Sequence, residues 1–137
     1  MKIFSKWISL ETQEKYQEIA LNDFIEAIVF ESRVSDGIVL IFSQHTTIGL
    51  YLSNNDKYLK DDLENFLDEK IPNDPNYLHN VYGGNNASAH LKNVLIGSSL
   101  TLAVNDGELL LGEWQNIFLG EFDGPRKRKI LVKVVGE

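Results

Sequence analysis

Two hydrophobic periods run along the chain, and they assign most of its elements. In LNDFIEAIVFESR, the apolar residues Leu21, Phe24, Ile25, Ile28 and Val29 recur at helical spacing, as expected of a helix with one buried face. Asn22 or Asp23 is placed to cap its start, and Glu26 follows Asp23 by three residues. Leu59, Leu63, Phe66 and Leu67 fall at i, i+4, i+7 and i+8. That spacing predicts a second helix over Tyr58–Glu69, stopped by Ile71–Pro72.

Elsewhere the pattern is that of strands. KIFSKWISLE combines aromatic and β-branched residues and reads as a first strand. The Asp36–Gly37 turn leads into IVLIFS, a short buried strand, and TIGLYLS looks like its neighbour. Farther on, SLTLAV, ELLLGEW, QNIFLGEF and RKILVKVV are all strand-like, with Asn105-Asp106-Gly107 as a hairpin signal between the first two. The expected class is α+β, with a large, mostly antiparallel sheet folded into two layers and two or three helices. Between the two halves, Asn73–Asn86 holds Pro75, two glycines and five asparagines and reads as one long loop. Such loops are usually functional or mobile.

Bulk properties narrow the function classes. A length of 137 residues with no repeat or linker is expected to form one domain, residues 1–137. The formal charge of −7 argues against non-specific nucleic-acid binding, which needs a positive footprint. The absence of cysteine excludes disulfides, zinc–thiolate sites and cysteine nucleophiles. MKIFSKWISLETQEKYQ turns polar too soon for a signal peptide, and no apolar run approaches bilayer length. A cytoplasmic protein without a membrane partner is expected.

Three histidines are the first candidates for chemistry: His45, His79 and His90. Three imidazoles with one open position make a catalytic zinc site, although their spacing matches no short ligand motif. The alternative is three unrelated surface or core histidines. His45 follows the buried strand, whereas His79 and His90 bracket the loop. YGGNNAS, with Gly83, Gly84 and Asn86, offers backbone N–H groups that can cradle a phosphate or a phosphorylated cofactor. Its residues serve equally well as turn formers. If Arg126 begins the last strand, then Arg126, Arg128, Ile130, Val132 and Val134 share one face. An arginine on that face needs a carboxylate or phosphate, with Glu121 or Asp123 as the structural alternative. Gln115, in phase with Ile117 and Leu119, is expected to point inward as well.

FSQHTT, YLH, NASAHL, LIGSSLTL and DGELLLGEWQNIFLGEFDGPRKRKILVKVVG together resemble the YjbQ family (UPF0047), also called secondary thiamine-phosphate synthases. The match runs from about Gln13 to Gly136. The resemblance implies a β-sandwich-like α+β fold, a homotrimer, and a divalent metal, zinc by donor type, shared by His45, His79 and His90. It places Gln115, Glu121, Asp123 and Arg126 in the family's most specific block, with Gln115 and Arg126 as candidate catalytic residues. It also implies a weak thiamine-phosphate synthase activity, which suits a three-histidine site poorly because magnesium prefers carboxylates. The expected function is therefore a metal-binding enzyme acting on a phosphorylated small molecule, or a non-catalytic trimeric binding module. Two departures stand out. Ser53–Asn54 replaces the family's usual Asn-Glu, and Leu102-Ala103-Val104 replaces its usual Ile-Pro-Ile.

Overall fold

The computed structural model describes residues 1–137. In chain order the elements are β1 (Lys2–Glu11), β2 (Gln17–Ala20), α1 (Asn22–Ser32), β3 (Asp36–Ser43), β4 (Ile48–Ser53) and α2 (Lys57–Lys70). They continue with α3 (Leu78–Val81), α4 (Ala87–Ile96), β5 (Ser99–Asn105), β6 (Glu108–Leu109), β7 (Asn116–Glu121) and β8 (Lys127–Gly136). All strand pairs are antiparallel. One sheet has the order β1-β8-β3-β5-β6 and the other β2-β7-β4. The α+β class and the two-layer, sandwich-like sheet agree with the sequence.

The layers meet over one apolar core. β8 contributes Ile130, Val132 and Val134, β3 contributes Val39 and Ile41, and the second sheet contributes Ile48, Leu50, Ile117 and Leu119. Helix α1 closes the core with Ile25, Ile28 and Val29, behind Leu21, the face its periodicity predicted except for Phe24, which is exposed. Its start is held differently from expectation. Leu21 is the N-cap and makes no side-chain capping bond. Asn22 Oδ1 instead accepts the Ile117 N–H at 2.7 Å, tying the helix to β7. Helix α2 begins as capping rules require, with the Asp56 side chain accepting from Tyr58 N–H. The Asp106–Gly107 turn has positive φ at both residues, 52° and 80°, the geometry that an Asp-Gly hairpin adopts.

Three expectations need correction. β4 is not the neighbour of β3; it pairs with β7 in the other sheet, because Gln44–Thr47 carries the chain across the layers. ELLLGEW is strand only at Glu108–Leu109. The supposed long loop contains α3, and a full helix, α4, starts directly behind it, giving four helices rather than two or three. Helix α4 escapes periodicity because its polarity is inverted. Its buried residues are Ala87, Ser88, Ala89, Lys92 and Asn93, while Leu91, Val94 and Leu95 are exposed. No helix is long and apolar enough to cross a membrane.

Candidate functional site

A cleft of about 340 Å³ opens where the two layers are joined. Its walls are the Gln44–Thr47 crossover, the start of α4 with Asn86 and His90, and the chain entering β8 with Arg126 and Arg128. None of its lining residues is hydrophobic and none is acidic.

The floor of the cleft is a buried ion pair. Strand alternation turns Arg128 inward with Ile130 and Val132, leaving it 3% exposed, and it meets Glu121, which is 0% exposed. Arg128 Nε donates to Glu121 Oε1 at 2.8 Å, and Nη2 donates both to Glu121 Oε2 and to Thr47 Oγ1 at 2.8 Å. The carboxylate also accepts from Thr12 Oγ1 at 2.8 Å and from the Asp123 N–H at 3.1 Å. A buried carboxylate needs such a full shell. Arg128 Nη1 is the corner of the guanidinium that these bonds leave free. It is not sealed in, since Tyr16 Oη is the only buried side-chain polar atom without a partner.

A second chain of bonds runs along the rim. Arg126 Nη2 donates to Asp123 Oδ2 at 3.0 Å and its Nε to the Asp123 carbonyl at 2.9 Å. Asn86 Nδ2 donates to the same Oδ2 at 2.8 Å, and Asn86 Oδ1 faces His79 Nε2 at 3.0 Å. Because the Asp123 carboxylate only accepts, the Asn86 amide is oriented by it. His79 Nε2 must then be the protonated nitrogen. The His79 and His90 rings meet edge to face, with centroids 4.9 Å apart.

His45 is fixed from the other side. Its Nε2 accepts the Lys129 backbone N–H at 3.0 Å, so the neutral ring carries its proton on Nδ1. Burial, followed by the nearby Arg128 guanidinium, holds its pKa below the ordinary 6.5.

The sequence-derived candidates therefore divide. His45, His90, Asn86 and Arg126 share the cleft, and His79 joins them through Asn86. The three histidines do not form a tripod, because no three His, Asp or Glu side chains stand in position to hold one metal ion. Gln115 does not point inward. It is exposed, and its Oε1 accepts the Gly112 N–H at 2.9 Å in the turn before β7. Strand β8 begins at Lys127, so Arg126 precedes it and lies at the rim with its side chain 53% exposed. Arg128 is the inward arginine. Gly83, with φ of 110°, shapes the α3–α4 turn. Gly84 leaves room for His79, whose ring would lie 2.5 Å from an added Cβ. Neither glycine lines the cleft, nor does Asn54, so that departure from the family pattern falls elsewhere. Thr47 and Thr12 went unnoticed in the sequence because a threonine in a strand or loop carries no signal of its partner.

The UPF0047 protein YjbQ-like family model matches residues 6–137. This chain belongs to that family. A UPF0047 protein of Methanocaldococcus jannaschii is 40% identical over 129 residues, covering 93% of this chain and 91% of that protein. Among solved structures, a YbjQ-like protein of unknown function from Sulfolobus solfataricus superposes with a TM-score of 0.95 at 34% identity, covering 99% of both chains. A YjbQ/UPF0047 family protein from Clostridium acetobutylicum gives 0.88 at 40% identity, covering 95% of this chain and 99% of that one.

Two predictions follow from the geometry of this UPF0047 member. Glu121→Ala strands the Arg128 cation in the interior and should cost about 3–5 kcal/mol of unfolding free energy, read by urea denaturation. Acidification should destabilise the fold through His45. Its folded pKa lies below 6.5, so the unfolded chain takes up the proton first. Its contribution is complete above that value, shrinks as pH falls below it and levels off beneath the folded pKa. His45→Gln keeps an acceptor for Lys129 and should flatten the dependence of melting temperature on pH in that window.

Proposed function

We propose that the protein binds and acts on a small phosphorylated molecule in the cleft around His45. One observation carries this reading: two arginines and two histidines line a polar hollow with no carboxylate among its lining residues, in a chain of net charge −7. Glu121 and Asp123 pair with the arginines from behind it. A phosphate group has Arg128 Nη1 and Arg126 as charged donors. It also faces the positive end of α4, where Asn86 stands as N-cap without a side-chain capping bond. His45 presents an Nδ1–H donor, and His90 is the available general acid or base for hydrolysis or transfer. A magnesium-assisted thiamine-phosphate synthase reaction draws no support from a cleft that offers the metal no carboxylate.

The second reading is a module that holds such a molecule without turnover. It is favoured by the commitment of His45 Nε2 to Lys129, which leaves His90 as the one uncommitted base. A divalent metal, zinc by donor type, is proposed at the histidines. His79 and His90 already meet, and His45 would have to exchange the Lys129 amide for the ion.

Self-association as a homotrimer completes the proposal. The outer face of the five-stranded sheet exposes Ile3, Trp7, Ile38 and Phe42, and Trp7 and Phe42 flank Leu131 in register. Patches of this kind mark association surfaces. Lys129 lies over the Trp7 ring at 4.8 Å while its N–H holds His45, so this face borders the cleft.

Titration with inorganic phosphate and pyrophosphate, followed by amide chemical shifts, should move the Gln44–Thr47 and α4 resonances. Arg126→Gln should weaken the binding about tenfold. A chain indifferent to both anions would sink the reading. Binding without release of p-nitrophenol from its phosphate ester would select the non-catalytic module. Mass spectrometry of the same samples reads the metal: near-stoichiometric zinc lost in His79→Ala supports it, and a chain that takes none up rejects it. In sedimentation, the wild type should run as a trimer and Ile38→Glu as a monomer; a monomeric wild type excludes the assembly.

A further inference from the structure

Helix α4 is amphipathic in the opposite sense to a core-facing helix. It buries Ser88, Lys92 and Asn93, while Leu91, Val94 and Leu95 face outward, Val94 at 78% exposure. By helical spacing these three form a stripe, with His90 along one side and Ser88 and Lys92 along the other. His90 faces the cleft, whereas Ser88 and Lys92 face a hollow shared with α2. Helix α3 adds to the apolar surface. Its Leu78, Val81 and Tyr82 lie on one face and are all exposed. It is held to the start of α4 by the Ala87 N–H, which donates to Asn80 Oδ1 at 3.1 Å, and by the His79–His90 contact. Single exposed apolar residues need no explanation, but a continuous group on two touching helices marks a surface that a partner covers.

We propose that this helical face is the seat of a second copy of the chain, received through the outer face of that copy's five-stranded sheet. The inference rests on the self-association proposed above and names the surface opposite the sheet. Symmetry requires such a surface. A patch that pairs with itself stops at two copies, so a ring of three needs two different faces meeting head to tail. The chemistry of the two faces matches. Strand alternation puts Trp7, Leu131 and Phe42 in one row of the sheet, with Ile3, Val135 and Ile38 in another. Lys127, Lys129 and Lys133 lie between and beside these rows, with acids only at the ends, Glu11 and Asp36. Helix α2, held beside the α4 stripe by Lys92 and Asp68 at 2.6 Å, carries five acids against three lysines. A lysine-bearing apolar sheet thus meets an apolar stripe with an acidic flank. Val94 lies one turn beyond His90, so the seated copy stands at the lip of the cleft. The cleft then lies at a boundary between copies.

Two variants that each disable one face test the assignment. Ile38 and Val94 are both exposed in the single chain, so neither substitution disturbs its core. In sedimentation, Ile38→Glu and Val94→Glu should each run as a monomer where the wild type is assembled. Mixed, they retain one intact face of each kind, and should form a complex of two chains that cannot close a ring. Amide signals of labelled Ile38→Glu at Leu78–Tyr82 and Leu91–Leu95 should shift on adding unlabelled Val94→Glu, and stay put on adding unlabelled Ile38→Glu. The inference is overturned if Val94→Glu still assembles as the wild type does, or if the mixture shows neither the complex nor the shifts. It is equally overturned if unlabelled Ile38→Glu shifts the same signals. In each of these cases association through the sheet stands, because Ile38→Glu alone decides it. A wild type that stays monomeric removes both readings.

Discussion

Arg128 and Glu121 are both excluded from water, and neither can be buried unless the other is in place. The pair joins β8 of one sheet to β7 of the other, so it acts as a clamp between the layers rather than a contact within one. A slip of β8 by one residue would turn Lys127 and Lys129 inward, with no carboxylate to receive them, and would expose Ile130 and Val132. The ion pair thereby specifies the register of the strand that carries it. Thr12 and Thr47 add hydrogen bonds to the pair and leave only Arg128 Nη1 uncommitted. The cleft thus has a floor whose cation is held rigid before any ligand arrives.

The same logic explains what the sequence made legible. Where burial is apolar and periodic, as in α1, β3 and β8, the pattern gave the element and its buried face. The inward arginine was legible too, because alternation along β8 left Arg128 among Ile130, Val132 and Val134. Alternation alone cannot say where the strand begins, so it takes in Arg126, one residue before the element starts at Lys127. Gln115 failed for the same reason. It lies in phase with β7, but the strand begins at Asn116, and a short Gly112–Gln115 turn takes the side chain back to the surface.

Helix α4 was hidden for a different physical reason. Its buried face is made of small residues, of which Ala89 packs with Leu67 and Phe122, and of polar residues that bond. Asn93 donates to the Ile48 carbonyl and to Ser98 Oγ, Lys92 to Asp68, and Asn86 to Asp123. Hydrophobic periodicity measures packing, so a helix anchored by hydrogen bonds looks like a loop to it. The consequence reaches the site, since this helix places His90 and Asn86 at one hollow and Lys92 at another. The resemblance to the YjbQ family identified the histidines as a group, but the bond between His45 and the Lys129 amide depends on geometry that no spacing encodes.

The two arginines of the cleft are not equivalent partners for an anion. Arg128 is neutralised by a carboxylate that burial makes hard to displace, so it offers a ligand only the corner its own bonds leave free. Arg126 is paired at the exposed rim, where ion pairs are worth little, so a phosphate bound there as proposed would compete with Asp123 on nearly even terms. Any such exchange must be felt along the rim, because the Asp123 oxygen that Arg126 would release also fixes the Asn86 amide, and Asn86 in turn fixes the proton on His79. The occupancy of Arg126 and the orientation of His79 are therefore two ends of one hydrogen-bonded chain. That is how a histidine outside the cleft lining is coupled to the arginine at its rim.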